Sequence, residues 1–552
     1  MRVEGIAEQS QARLPTLGLS GKLVQALTVT KPNAYIGTLG VFLGAGIATM
    51  FGRLVSVGLP DLRGALSLGI DEASWIPTAY NMTLMFMGPF SVYLGAFLGA
   101  RRVLLWTAPI FILASILLPF SPNLSVMLAL QVIAGLSSGT FYPLTMSYAL
   151  RSLPLRYSIY GIGVYSIDIL AVTNIAVPLE GWFTNHLTWH WIFWFSALIT
   201  PLMMLCIYRA IPHPPKRTGP KPSISWRGFL YASLGLSLIF GALDQGQRLN
   251  WLESGVIVAM LATGGVLLVA AIIRRWMSPN PLLNIAFLDN RNTLILAAGL
   301  FSFRFVLLAV AILIPAFLGA IQGYRPLETG RVLLWVAVPQ VVTGIIAAWL
   351  MRRFDGRLII AIGFALVAIA CLMNAQLTSA WAGDNFWASQ LVIAVGLSFT
   401  FVALVGLLIQ QGAFTGAFSR PIDVLTYSAF IHMVRLFGGE IGTAFMQRFI
   451  AVREQLHSNL IGLHVDAAGW LSAERLTLLT GGVANASSGT DEAQQRAVVL
   501  LSGQVSQQAF TLAYMDGFMI IAWVCIGIML LIALMRPMKI LFDSSSSDPP
   551  GM

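Results

Sequence analysis

Charge is scarce in this chain of 552 residues: Asp, Glu, Lys and Arg make up only 10% of it. Soluble proteins carry about 25%. A chain this long cannot cover a soluble surface with so little, so a soluble globular fold is excluded. Cysteine is scarce too. Cys206, Cys371 and Cys525 are the only three, each inside an apolar stretch, so neither a disulfide framework nor metal-ligand spacing is present. There is no phosphate-binding glycine loop, dinucleotide fingerprint, His-Glu-x-x-His pair or nucleophile elbow. The common enzyme classes are thereby excluded, and no cofactor is expected. Any work the protein does must draw on an ion gradient, with protons the first candidate, rather than on ATP.

What is present is apolar. Hydrophobic residues make up 57% of the chain, and its mean hydropathy is +0.78. The apolar runs are long and unbroken rather than alternating, which points to membrane-spanning helices and away from a β-barrel. A span needs about 20 apolar residues. Breaks at charges, prolines and asparagine clusters predict fourteen: 35–58, 75–96, 103–120, 124–149, 157–183, 188–209, 226–245, 253–274, 293–319, 331–351, 358–376, 386–412, 424–449 and 513–535. Spans 4, 5 and 13 contain internal polar residues. The expected fold class is an all-α polytopic membrane protein.

The net charge of +10 is distributed as a topology signal rather than as a nucleic-acid footprint. With both ends inside, 22 of the 33 Lys and Arg fall in inside segments, seven outside and four within spans. That bias predicts cytoplasmic termini, with the lipid bilayer as partner and no nucleic acid. The expected organisation is a cytosolic tail over 1–34, six helices over 35–209, a cytosolic linker over 210–225 and two accessory helices over 226–274. A second six-helix set follows over 275–540, with a periplasmic loop at about 450–512, and then a disordered tail over 541–552. Two inside loops repeat one pattern, Tyr93-Leu-Gly-Ala-Phe-Leu-Gly-Ala-Arg101 and Trp349-Leu-Met-Arg-Arg-Phe-Asp-Gly-Arg357, as expected of two bundles related by a parallel repeat.

Several strings then carry a resemblance. They are Val57-Gly-Leu-Pro60, Ala73-Ser-Trp75-Ile-Pro-Thr-Ala-Tyr80, Trp189-His-Trp191-Ile-Phe193, Leu243-Asp-Gln-Gly-Gln-Arg-Leu-Asn-Trp251 and Asn280-Pro-Leu-Leu-Asn-Ile. Ile314-Pro315, Gly323-Tyr-Arg-Pro326, Arg435-Leu-Phe-Gly-Gly-Glu-Ile-Gly442 and Ala513-Tyr-Met-Asp516-Gly-Phe518 follow in order. Over about residues 35–540 the chain resembles the fourteen-span drug:proton antiporters of the major facilitator superfamily, the group of the EmrB and QacA exporters. The resemblance implies two six-helix bundles plus two central helices, efflux of small molecules against a proton gradient, and a possible periplasmic adaptor and outer-membrane channel as partners. The chain departs from the family at Phe51, where span 1 usually has Asp, at Ala96, where the loop usually has Asp, and at Gln131, where span 4 usually has Arg. The span 5 antiporter motif is reduced to Val177-Pro178-Leu-Glu180-Gly181.

The charges inside spans are the functional candidates, because each costs about 2.5–3.5 kcal/mol at the bilayer centre. They are Arg53, Asp168, Glu180, Arg304, Arg435 and Glu440. Arg53 and Arg304 lie on helices equivalent in the repeat. Together they suit a carboxylate or phosphate clamp, since guanidinium presents a planar fork of donors. Gln131 and Phe303 join them as expected substrate contacts. The bland alternative is that Arg53 is neutralised by Asp168 or Glu180. Asp168 is the proton-site candidate, with Glu180 and Glu440 assisting, although Glu180 also reads as a solvated acid near the outer end. Arg435 and Glu440 are five apart, about 140° around a helix, so each is expected to meet a different neighbour. Arg435, Gly438, Gly439, Gly442, Pro178 and Asp244 read as gating or structural residues, Asp244 by fixing a loop, and His432 as a packing residue. Three functions compete. They are a proton-coupled exporter of amphipathic molecules with an acidic group, an organic-anion exchanger or importer, and a non-transporting receptor-like relative.

Overall fold

The computed structural model describes residues 34–152, 155–211, 226–277, 289–415, 421–465, 469–484, 487 and 489–536. The tail before Ala34, residues 212–225 of the expected linker, the Asn280-Pro281 string and the C-terminal tail lie outside them. The regular structure of the described residues is helical. The first half comprises α1 (Ala34–Val57), α2 (Leu59–Leu66), α3 (Ile70–Leu98), α4 (Ala100–Leu117), α5 (Leu124–Ser138), α6 (Phe141–Ser152), α7 (Leu155–His186) and α8 (Trp191–Ala210). Two helices follow, α9 (Trp226–Gly246) and α10 (Gly255–Trp276). Then come α11 (Arg291–Gln322), α12 (Pro326–Leu350), α13 (Gly356–Asn374), α14 (Trp387–Phe414), α15 (Pro421–Gly462), α16 (Trp470–Val483) and α17 (Thr490–Ala533).

Twelve segments among the described residues are long and apolar enough to cross a membrane, with α5 and α6 together forming one of them. That is two fewer than the fourteen read from sequence. The other two expected spans are also helices, α7 of 32 residues and α15 of 42. Asp168 and Glu180 on α7, and His432, Arg435 and Glu440 on α15, lower their apolar content. At 1.5 Å per residue α15 is about 63 Å long, roughly twice the hydrocarbon thickness. The expected loop over 450–512 is largely helical as a result: α15 runs to Gly462, α16 follows, and α17 begins at Thr490.

The neighbours of each helix repeat between the two halves. In the first, α1 packs on α6, α7 and α8, α3 on α5, and α4 on α5 and α8. In the second, α11 packs on α14, α15 and α17, α12 on α14, and α13 on α14 and α17. The matching loop strings take matching roles. Arg101 at the start of α4 donates from Nη2 to the carbonyl of Tyr208 near the end of α8 at 3.0 Å. Arg357 at the start of α13 donates from Nη1 to the carbonyl of Met535 just past α17 at 3.0 Å. Each arginine satisfies a C-terminal carbonyl that its helix cannot. The halves meet along α7 with α12 and α3 with α15, while α9 lies on α3 and α15 and carries α10. All three cysteines are buried, so they pack rather than face lipid.

Candidate functional site

The site is built where α11 and α15 touch backbone to backbone. A Cβ added at Gly438 would collide with the carbonyl of Phe301, and one at Gly442 would lie 2.5 Å from that of Phe305. Two glycines four apart therefore let α15 lie flat on α11. That approach brings the carbonyl of Arg435 within reach of Arg304, whose Nε donates to it at 3.3 Å. Arg304 is only 5% exposed. Gly439 faces the same side, with Arg304 Nη2 3.7 Å from the position of an added Cβ.

Arg435 is the hub. Its Nη2 lies 3.4 Å from His432 Nδ1 one turn back, and its guanidinium carbon sits 4.7 Å from the centre of the Tyr142 ring. Tyr142, on α6, stacks on His432 at 4.7 Å and meets Tyr165 of α7 at 5.6 Å. Asp168 lies three residues beyond Tyr165, hence on the same helix face. The charge of Arg435 acts on Tyr142, Tyr165, Asp168, Arg304 and His432 together, and Arg53 of α1 acts on Arg304. Arg53 and Asp168 form no ion pair, nor does Arg304 or Arg435 with any carboxylate among the described residues. Arg53 is thus not neutralised by Asp168 or Glu180.

Buried hydrogen-bonding atoms without partners concentrate here. They include Arg53 Nε, Arg304 Nη1, Arg435 Nε and Nη1, His432 Nε2 and Asp168 Oδ2. Each unpaired buried donor costs about 1–3 kcal/mol, more when charged. Most of these groups are donors, two of them guanidinium groups beside each other. The arrangement suits an anionic, planar acceptor such as a carboxylate. The apolar wall beside it is aromatic, Phe303 against Phe401 at 5.3 Å and Phe401 against Tyr165 at 6.0 Å.

The other sequence candidates fall elsewhere. Gln131 is fully buried on α5, whose neighbours are α3 and α4, and its amide makes no hydrogen bond. Phe51, at the family's aspartate position, packs on Tyr80, Phe111 and Phe193. Glu180 is fully buried, not solvated, and its carboxyl meets that of Asp61 on α2. Pro178 of α7 lies against Gly330 of α12, and Gly181 against Leu327, so these helix ends are in close contact. Asp244 also reaches beyond its own loop. It accepts from the Thr78 hydroxyl of α3 and meets Glu440 of α15. Sequence reasoning passed over Tyr142 and Tyr165 and took Arg435 and His432 as packing. The available signal was spacing: His432 with Arg435, and Tyr165 with Asp168, are each three apart. Among the described residues no group of three or more His, Cys, Asp or Glu is placed to hold a metal.

The model of the Major Facilitator Superfamily matches residues 41–443, well over half the chain. The colistin resistance protein EmrB of Acinetobacter baumannii is 24% identical over 84% of this chain and 89% of its own. The multidrug export protein EmrB of Haemophilus influenzae is 22% identical over 91% and 95%. The fatty acid resistance protein FarB of Neisseria gonorrhoeae is 20% identical over 78% and 83%. The solved proton:xylose symporter XylE bound to 6-bromo-6-deoxy-D-glucose overlays with a TM-score of 0.47 at 12% identity, covering 87% of this chain and 94% of that one. The chain is a multi-pass membrane protein that belongs to the Major Facilitator Superfamily, and it is a transporter, not an enzyme.

Proposed function

We propose that the chain is a proton-coupled exporter of amphipathic small molecules carrying an acidic group, set in a bacterial inner membrane with both termini cytoplasmic. In this reading α7 and α15 also cross the bilayer, giving fourteen spans. Residues 35–209 and 275–540 form the two bundles, and 226–274 the accessory pair. The observation that carries the substrate class is the set of unpartnered donors on Arg304, Arg435 and His432 beside aromatic rings. Relatives named for resistance to a fatty acid, to colistin and to many drugs support export. The helical extension over 450–512 is the surface a periplasmic adaptor and outer-membrane channel would engage.

The chemistry follows from charge. A substrate carboxylate docks on Arg304 and Arg435 and its apolar body lies along Tyr142, Tyr165 and Phe401. Asp168 competes with the substrate for the field of Arg435. A proton on Asp168 removes that competition, so the proton and the acid favour each other at this site. Affinity for an acidic amphiphile therefore rises as pH falls. The decisive experiment is flux in proteoliposomes with an imposed pH gradient, using cationic, neutral and acidic amphiphiles. Acidic compounds are expected to move, Arg304→Ala to abolish their movement, and Asp168→Asn to make affinity pH-independent. Flux of cations alone overturns the reading.

A second reading, exchange of organic anions, is favoured by Arg53 acting on Arg304, which gives the site three positive groups. Counterflow of a labelled acid against an unlabelled one, with no pH gradient, separates the two.

A further inference from the structure

We propose that Asp244 on the accessory helix α9 and Glu440 on α15 form a single-proton binding site that holds the outer gate shut. The inference rests on the transport reading above. An acid on the arginines and a proton on Asp168 favour each other, so that site alone describes co-binding and not exchange. A proton that travels against the substrate must be held when the arginines are empty, at a place the substrate does not touch.

The α3–α9–α15 junction provides that place. Glu440 is 7% exposed, and its Oε1 has no hydrogen-bond partner. Its carboxyl is in hydrogen-bond contact with that of Asp244. Asp244 is held from α3 by the Thr78 hydroxyl, and Thr78 in turn accepts from Gln245 Nε2. Gln245 Oε1 accepts from Arg248 Nε at 2.6 Å, and Arg248 Nη1 donates to the exposed Asp71 at 2.5 Å. Asp244 is thus aimed at Glu440 by a fixed frame. Two carboxylates cannot hydrogen-bond to each other; the contact requires one proton between them.

The charged and titratable surroundings are few. Just past α9 and on α3 they are Arg248 and Asp71, which bind each other. On α11 it is Arg304, engaged with the Arg435 carbonyl. On α6 it is Tyr142, beneath Arg435. On α17 it is Asp516, held by Arg453 and His457 on the far part of α15. From α10 the residues presented toward α9 are the apolar Met260, against Gly241, and Leu268, against Gly235.

The position makes the proton a latch. The helix α3 belongs to the first half of the molecule and α15 to the second, and they pack on each other with α9 lying on both. Rocking of the halves that parts this seam pulls Glu440 from Asp244. The closed pair holds one proton and carries one negative charge. The open pair is two hydrated carboxylates carrying two, and one proton has left to water. An acidic exterior therefore closes the gate after the substrate has gone.

The test is infrared difference spectroscopy on the full chain in lipid, across roughly pH 5 to 9. The wild type is expected to show a protonated-carboxyl band that disappears as pH rises and is told apart from those of Asp168 and Glu180 by its persistence in Asp168→Asn and Glu180→Gln. Glu440→Gln and Asp244→Asn each supply the bridging hydrogen from an amide, so both are expected to lack the band and to keep the seam closed at every pH. If the band survives in both variants, or never appears in the wild type, the pair is not the site. Thr78→Val leaves both carboxyls in place and guards against misfolding of the other variants. It is expected to move the disappearance of the band upward by about one pH unit, since one donor to the charged form is lost; an unmoved band overturns the frame. Loss of the band in the variants together with no acid flux in the wild type keeps the pair and overturns the transport reading. Flux that stays pH-dependent in both variants with the band intact does the reverse.

Discussion

Gly46 of α1 and Asp168 of α7 meet with no room for a methyl group, because an added Cβ would collide with Asp168 Oδ1. Gly46→Ala is expected to push the carboxyl aside and alter the pH profile of acid binding while leaving the fold intact. Ligand titration at several pH values checks this. Arg304→Lys keeps the charge and loses the fork of donors. Losing one or two charge-assisted hydrogen bonds, about 1.5–3 kcal/mol each, is expected to weaken binding of an acidic amphiphile at least ten-fold; calorimetric Kd values measure it. Asp355 supplies a different pH dependence, at the start of α13. Burial pushes its carboxyl up, but hydrogen bonds from Arg357 outweigh that and hold it below the usual range. Its stabilisation is therefore complete above the ordinary carboxylate pKa and is lost as pH falls through the lower folded value. Asp355→Asn keeps the cap acceptor and loses the partly exposed ion pair with Arg357, so it is expected to cost about 0.5 kcal/mol near neutral pH and to flatten the fall in Tm under acid.

Helix contacts are decided by smaller things than helix hydropathy. Gly438→Ala places a methyl group on the Phe301 carbonyl, which is backbone and cannot swing away. The expected cost is about 1–3 kcal/mol, seen as a lowered Tm in detergent, whereas Gly481→Ala meets open space and is expected to change nothing. The small-residue string from Gly438 to Gly442 was readable as close packing, but not its partner, because a glycine specifies how near a neighbour comes and not which neighbour. The helices α7 and α15 show the reverse case. Their polar residues dilute the apolar signal that marks a span, and three of them, Asp168, His432 and Arg435, line the site. Asp244 shows the same limit: its place at the end of α9 pointed to its own loop, while its partners on α3 and α15 are remote in sequence. Under the fourteen-span reading, cysteines introduced at Phe414 and Leu463, both exposed, should react with an impermeant thiol reagent from opposite faces of the membrane. Labelling from one face would remove α15 from the spans.

Over the whole molecule, the duplication was legible from one pair of loop strings, since Arg101 and Arg357 each close the end of a matching helix. The gathering of Arg304, Arg435, His432, Tyr142, Tyr165 and Asp168 was not legible, because it draws on four helices whose relative rotation no local pattern encodes. The great length of α15 and α17 has its own mechanical meaning. Each is roughly twice as long as the hydrocarbon is thick, so under the fourteen-span reading about 30 Å of rod stands beyond it, braced by α16 against α17. A tilt of about 10° at the membrane then sweeps the tip through about 5 Å. Motion too slight to see at the site becomes a stroke outside the bilayer, long enough to push on whatever rests against it.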